Sequence, residues 1–183
     1  MKLAILAMVF FTVLVVVSPA YSQTNTSPCV PSGRWQVKTL TDKTITEVDF
    51  SHIHKVTIKQ LQSSGTPGDL PEDERLPGIE WILLQLDGIY EKTHVPEAGG
   101  DGDYHVELKT TSGRVINIEF PNTDCIPDTP LGHKNEMKQA LQDLLKLCPR
   151  EMCKGRVVRA TGIGFWDGKR MELHPVLSFE LAP

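Results

Sequence analysis

Three things are scarce in this 183-residue chain, and each shortage excludes a class of protein. Basic charge is the first: 19 Lys and Arg stand against 23 Asp and Glu, for a formal net charge of −4, and the basic residues do not cluster. A general nucleic-acid binder carries a basic face or stripe, so none is expected here. Ready-made chemical motifs are the second. The chain has no Gly-x-Ser-x-Gly elbow, no Cys–His pair with a free thiol, no Cys-x-x-Cys for zinc or redox chemistry, and no calcium loop with its closing Glu. Long apolar runs are the third. After the first 17 residues no second span is long enough for a bilayer, which leaves the remainder of the chain soluble.

What is present begins with that first run. Met1-Lys2 is basic, Leu3 to Val17 is almost wholly apolar, and Ser18-Pro19-Ala20-Tyr21-Ser22 puts small residues where a signal peptidase reads. Residues 1–22 are therefore expected to be a secretory signal peptide cut before Gln23. The product is exported, periplasmic or extracellular, and free of the membrane after cleavage. Its four cysteines, Cys29, Cys125, Cys148 and Cys153, point to disulfides in an oxidising compartment, with three pairings open. "CPREMC" could close a small loop through Cys148 and Cys153. Cys125 joined to either would instead tie a strand end to the helix behind it.

Residues 23–78 read as an N-terminal extension ending in a Pro/Gly-rich loop, "SSGTPGDLPEDERLPG", taken as a hinge. Within it "RWQVKTLTD" has the look of a short strand, and Lys55 to Leu61 fits a strand or a short helix. The barrel domain, 79–183, starts with "IEWILLQLDGIYEKTHV", a long strand with a bend or bulge at Gly88. "DYHVELKT" and "RVINIEFP" alternate apolar and polar residues and make the second and third strands. Met137, Leu141, Leu144, Leu145 and Cys148 recur at helical spacing, and Pro149 ends the helix. "GRVVRATGIGFWDG" and "MELHPVLSFEL" supply strands four and five. Three strands, a helix and two strands is the order of a mainly β, five-stranded OB-fold-like Greek-key barrel; the rival is an antiparallel sheet with one packed helix.

Alternation sorts the side chains of these strands by face. Tyr104, Val106 and Leu108, then Ile116, Ile118 and Phe120, then Leu173, Leu177 and Phe179 fill the barrel. Asp103, His105, Glu119, Glu172 and His174 are left pointing outward, where solvated charge belongs. The same set could hold a divalent metal or supply acid and base for hydrolysis, with His105, Glu119 and His174 as candidate ligands or catalytic groups and Asp103 or Glu172 assisting. Asp101 and Asp103 also suit an Asp-Gly hairpin turn. Phe165 and Trp166 read either as exposed stacking platforms for a ligand or as one core residue and one lid, the second being preferred. Asp167-Gly168 is a turn, Gly162 and Gly164 are corner glycines, and Pro175 suits an edge strand. His52 and His54 sit on the surface of a short strand, and His133 lies at the helix cap.

Several segments resemble a group of small secreted bacterial proteins of uncharacterised function: "VKTLTD", "DGDYHVEL" with "INIEFP", and "VRATGIGFWD" with "ELHPVL". The likeness spans roughly residues 34–181. It implies an OB-like barrel, similar in outline to staphylococcal-nuclease-type domains, and hands over no activity. This chain departs from the group in having only "GKRM" where the others carry a longer loop with an extra His-Gly. Two readings follow. The first is a secreted, non-enzymatic binding module with an unknown ligand or protein partner, contacting it through Asp103, His105, Phe165, Trp166, Asp167 or Glu172. The second is a nuclease-like, metal-dependent hydrolase. No cofactor is firmly predicted, and a divalent metal ion is the one these residues admit.

Overall fold

The computed structural model describes residues 30–31, 33–64, 71–96, 100–128 and 131–183. The expected signal peptide, Cys29 and part of the expected hinge lie outside that set. Among the described residues there are six strands: β1 (Asp49–Lys55), β2 (Ile82–His94), β3 (Tyr104–Lys109), β4 (Val115–Phe120), β5 (Val157–Trp166) and β6 (Met171–Leu181). The same residues hold three α-helices, α1 (Trp35–Lys38), α2 (Ile58–Gln62) and α3 (His133–Leu147), besides short 3-10 turns.

The strands close into a ring. β2 pairs with β3, β3 with β4, β4 with β6, β6 with β5, and β5 returns to β2. Only the β4–β6 contact within this ring is parallel. That is OB topology, with β2 to β6 as its five strands and α3 in place between the third and fourth. The open-sheet alternative falls on the β2–β5 pairing. β2 can serve two neighbours because it is long and irregular: it runs along β5 from Leu83 to Ile89, then shifts register between Tyr90 and Lys92 as it joins β3. Gly88 sits at the changeover, where an added Cβ would meet that of Leu108 at 2.9 Å.

The barrel interior follows the alternation. Tyr90, Val106, Leu108, Ile116, Ile118, Phe120, Leu173 and Phe179 share one buried cluster, closed by Ala140 and Leu144 of α3. β6 departs from simple alternation. Its pairing with β5 slips on both sides of Gly162, so Val176 joins the core while Leu177, expected inside, turns out toward a second cluster. Pro175 is therefore at a bulge in a strand paired on both sides, not at an edge as the sequence suggested. Gly162 makes this bulge feasible, because any Cβ there would lie 2.2 Å from the Pro175 carbonyl oxygen.

The N-terminal segment packs against the barrel in three ways. β1 extends the sheet by pairing in parallel with β2. α2, begun by a reciprocal capping box between Thr57 and Gln60, buries Ile58 and Leu61 in the barrel core. A second cluster, of Leu40, Ile45, Val48, Ile126, Met137 and Ile163, fastens residues 40–48 to the outer faces of β5 and α3. "RWQVKTLTD" forms the single helical turn α1 and not a strand, with Arg34 and Leu40 at positive φ on either side. Its short-range pattern was overridden by burial of Val37 and Leu40. Cys148 is bonded to Cys153. Cys125 is also in a disulfide, so it does not join either of those two. Among the described residues no helix is long and apolar enough to cross a membrane.

Candidate functional site

The five residues read as outward-facing do leave the barrel interior, but four of them are not exposed. Asp103, Glu119, Glu172 and His174 retain between 1% and 5% of their accessible surface. The expectation of a solvated strand face fails here because the extension lies over it. Lys38 of α1 reaches Asp101 at 2.7 Å and stands 4.0 Å from Asp103. Arg34 lies 4.9 Å from the centre of the Phe165 ring, and that ring packs at 5.5 Å from His174. Only His105, with 36% of its side chain accessible, keeps substantial contact with water.

Register brings the group together. His105 on β3 is directly opposite Glu119 on β4, and their Nδ1 and Oε1 atoms are 3.3 Å apart. The parallel pairing of Ile118 with Leu173 then sets Glu119 beside Glu172 and His174 of β6. His174 is the hub. Its Nδ1 lies 2.9 Å from Glu119 Oε2 and 3.6 Å from Glu172 Oε1, and its Nε2 lies 3.4 Å from Asp103 Oδ2. These approaches have ion-pair distances but lack hydrogen-bond alignment. Both ring nitrogens, Asp103 Oδ2 and Glu172 Oε2 are buried without a hydrogen-bond partner. Asp103 Oδ1, by contrast, accepts from the Asn122 N–H at 3.0 Å.

Crowding of acids around one imidazole moves protons. Burial pushes the Glu172 carboxyl up to about 8, with the Glu119 charge adding to it. Burial alone would also raise Glu119, but the adjoining His174 outweighs it and holds that carboxyl at about 2. Burial would lower His174, and Glu119 with Glu172 overcome this to lift it to about 9. Desolvation raises Asp103. A buried acid beside a buried base, each carrying the other's proton balance, is the arrangement from which acid–base and metal chemistry are built.

The cluster has an open side. A cleft of about 420 Å³ is lined by His94, Asp101, Asp103, His105, Asn117 and Arg170, among others. It lies on the face of β3 and β4, flanked by the β2–β3 connection and the β5–β6 turn. In OB barrels generally that face, with those two loops, takes the ligand.

Of the remaining candidates, Asp167 is exposed and accepts from the N–H groups of Lys169 and Arg170, closing the β5–β6 turn as expected. Phe165 and Trp166 are 3% and 6% accessible, so neither is an exposed stacking platform. Trp166 belongs to the barrel core and Phe165 to the buried layer under Arg34. His52 and His54 are on the surface of β1, while His133 stacks on Phe50 at 4.0 Å. Sequence reasoning missed Lys38 and Arg34. It also missed the buried pairs Arg34–Glu80 and Arg75–Asp42, because no local pattern marks a lone Arg or Lys as internal.

The topology defines the class: an OB-type barrel with an added N-terminal layer. No family model matches the chain, and no curated protein does. Among solved structures it is similar to a chain of the S. pombe Stn1–ten1 complex, at 21% identity and a TM-score of 0.36, over 55% of this chain and 57% of that one. The expectation of no general nucleic-acid binding is corrected at this point. OB barrels as a class present the cleft face to oligonucleotides among other ligands. A net charge averaged over the molecule could not exclude one face. The exclusion is withdrawn, and a likeness of this size brings no ligand in its place.

Proposed function

We propose that the chain is an exported OB-barrel binding module, akin to the secreted bacterial group it resembles, and that its ligand enters the β3–β4 cleft. One observation carries this reading. The cleft coincides with the general OB ligand face, and polar side chains from both strands and both flanking loops converge on it. The acidic groups Asp103 and Glu107 favour a ligand that presents hydrogen-bond donors or positive charge, while Arg170 and Asn117 add polar groups to orient it. The metal-dependent hydrolase stays second, on the observation that His105 and His174 both contact Glu119.

The test is a binding screen by thermal shift and calorimetry, using basic peptides, short oligosaccharides and single-stranded oligonucleotides. A ligand whose affinity drops about tenfold or more in His105→Ala and Arg170→Ala, yet is unchanged in Arg159→Ala on another face, supports the cleft. Binding that ignores both cleft substitutions would sink the reading.

A further inference from the structure

We propose that Asp103, Glu119 and His174 form a site for one divalent transition-metal ion of the zinc type, reached through the cleft. The inference deepens the binding-module reading and rests on it for the route of entry alone, since Asp103 lines the cleft and also belongs to the cluster.

Geometry is the first support. One donor atom from each of the three residues can be chosen so that all lie within 4.8 Å of one another. An ion bound tetrahedrally at about 2.1 Å from each ligand sets its donors about 3.4 Å apart, so the widest of these separations closes by up to about 1.4 Å on binding and a fourth position stays open. The second support is independent of acidity. His174, 1% accessible, has two ring nitrogens in no aligned hydrogen bond, Nδ1 lying 2.9 Å from Glu119 Oε2 and Nε2 3.4 Å from an Asp103 Oδ2 that has no hydrogen-bond partner either. Buried polar atoms are satisfied as a rule, and an orphaned set facing one another asks for an occupant. Lys38 does not fill that role. It bonds Asp101 at 2.7 Å and stands 4.0 Å from Asp103 Oδ2, beyond hydrogen-bond reach. With Lys38 matched to Asp101, three carboxyl groups remain around a single imidazole, a set of oxygen and nitrogen donors gathered in a dry interior.

The donors choose the ion. One imidazole nitrogen with carboxylate oxygens suits zinc, manganese or iron, whereas calcium wants six to eight oxygens and room for water. Glu172 and His105, both within reach of the inner groups, orient the ligands from behind.

The experiment uses the chain expressed from its full sequence, stripped with EDTA and titrated with zinc, with calcium, and with cobalt as a visible stand-in. The expected result is one zinc per chain, a melting point that climbs with free zinc, a non-aqueous cobalt spectrum, and no response to calcium. Asp103→Asn and Glu119→Gln, near-isosteric changes chosen to preserve folding, should weaken zinc binding at least about tenfold, a loss seen even for residues behind metal ligands. An aqueous cobalt spectrum, or zinc affinity in the two variants equal to that of the parent chain, would overturn the proposal. So would zinc lost instead in a His52→Ser, His54→Ser variant, which would move it to the surface of β1. Arg170→Ala and Glu107→Ala line the cleft without touching His174 and should leave zinc unchanged. If zinc fails while a cleft ligand still depends on Arg170, the metal site falls and the binding module stands.

Discussion

Glu80 shows how much of this molecule depends on single buried charges. It is fully buried, and its two oxygens accept from both Nη atoms of Arg34, from the Leu76 N–H at 2.6 Å and from the Trp166 N–H at 2.8 Å. One carboxylate thus joins the lead-in segment, the chain before β2 and the end of β5. Glu80→Ala strands the Arg34 guanidinium in a dry site, and the loss expected is about 3–5 kcal/mol by urea unfolding. Lys43→Ala, which removes an exposed partner of Asp73, should leave the urea midpoint nearly unchanged in the same assay. At this scale the sequence was legible in one respect only. Alternation correctly separated Glu119 and His174 from the barrel interior. It could not show that they were buried, because their cover comes from Lys38 and Arg34, more than 60 positions away from Asp101 and Trp166.

Elements carry the irregularities that shape the site. The β6 bulge reverses the parity of the strand between Leu173 and Val176, holding Glu172 and His174 on the outer face while Val176 returns to the core. It depends on Gly162. Gly162→Ala would drive a methyl into the Pro175 carbonyl oxygen, a backbone atom with no rotamer to escape into. Overpacking of this kind costs about 1–3 kcal/mol or more, and the variant should also blur the His174 environment. Thermal unfolding with the imidazole resonances of His174 followed by NMR checks both; an unchanged melting point would remove the bulge from this account. Glycines at a barrel corner were readable from the sequence. Which residue each one faces was not, since Gly162 and Pro175 meet only through strand pairing.

For the whole molecule the acid cluster predicts a pH dependence, measured in EDTA. His174 rises from 6.5 to about 9 on folding and Glu172 from 4.5 to about 8. Both hold protons that the unfolded chain has released, so their contribution is full below the unfolded values and is lost as pH climbs through the folded ones. Glu119 behaves oppositely. Its fall from 4.5 to about 2 stabilises the fold above the unfolded value and is lost as pH drops through the folded one. Stability should therefore peak near pH 5 and decline toward pH 9. Glu172→Gln, which imitates the protonated carboxyl, should flatten the decline. Urea midpoints across that range test it, and a midpoint that rises with pH would contradict the cluster as drawn.

By itself the sequence determined the order and kind of the barrel elements: a long apolar strand, two alternating strands, an amphipathic helix ended by proline, and two strands joined at Asp167-Gly168. Those are local properties, written in period and turn chemistry over a few residues. The tertiary structure alone decided that the outward face of β3, β4 and β6 is dry, that three acids share one imidazole, and that α1 is a helix. Each of these depends on which distant segment packs on top, and desolvation belongs to the packed pair of surfaces, not to either stretch of chain.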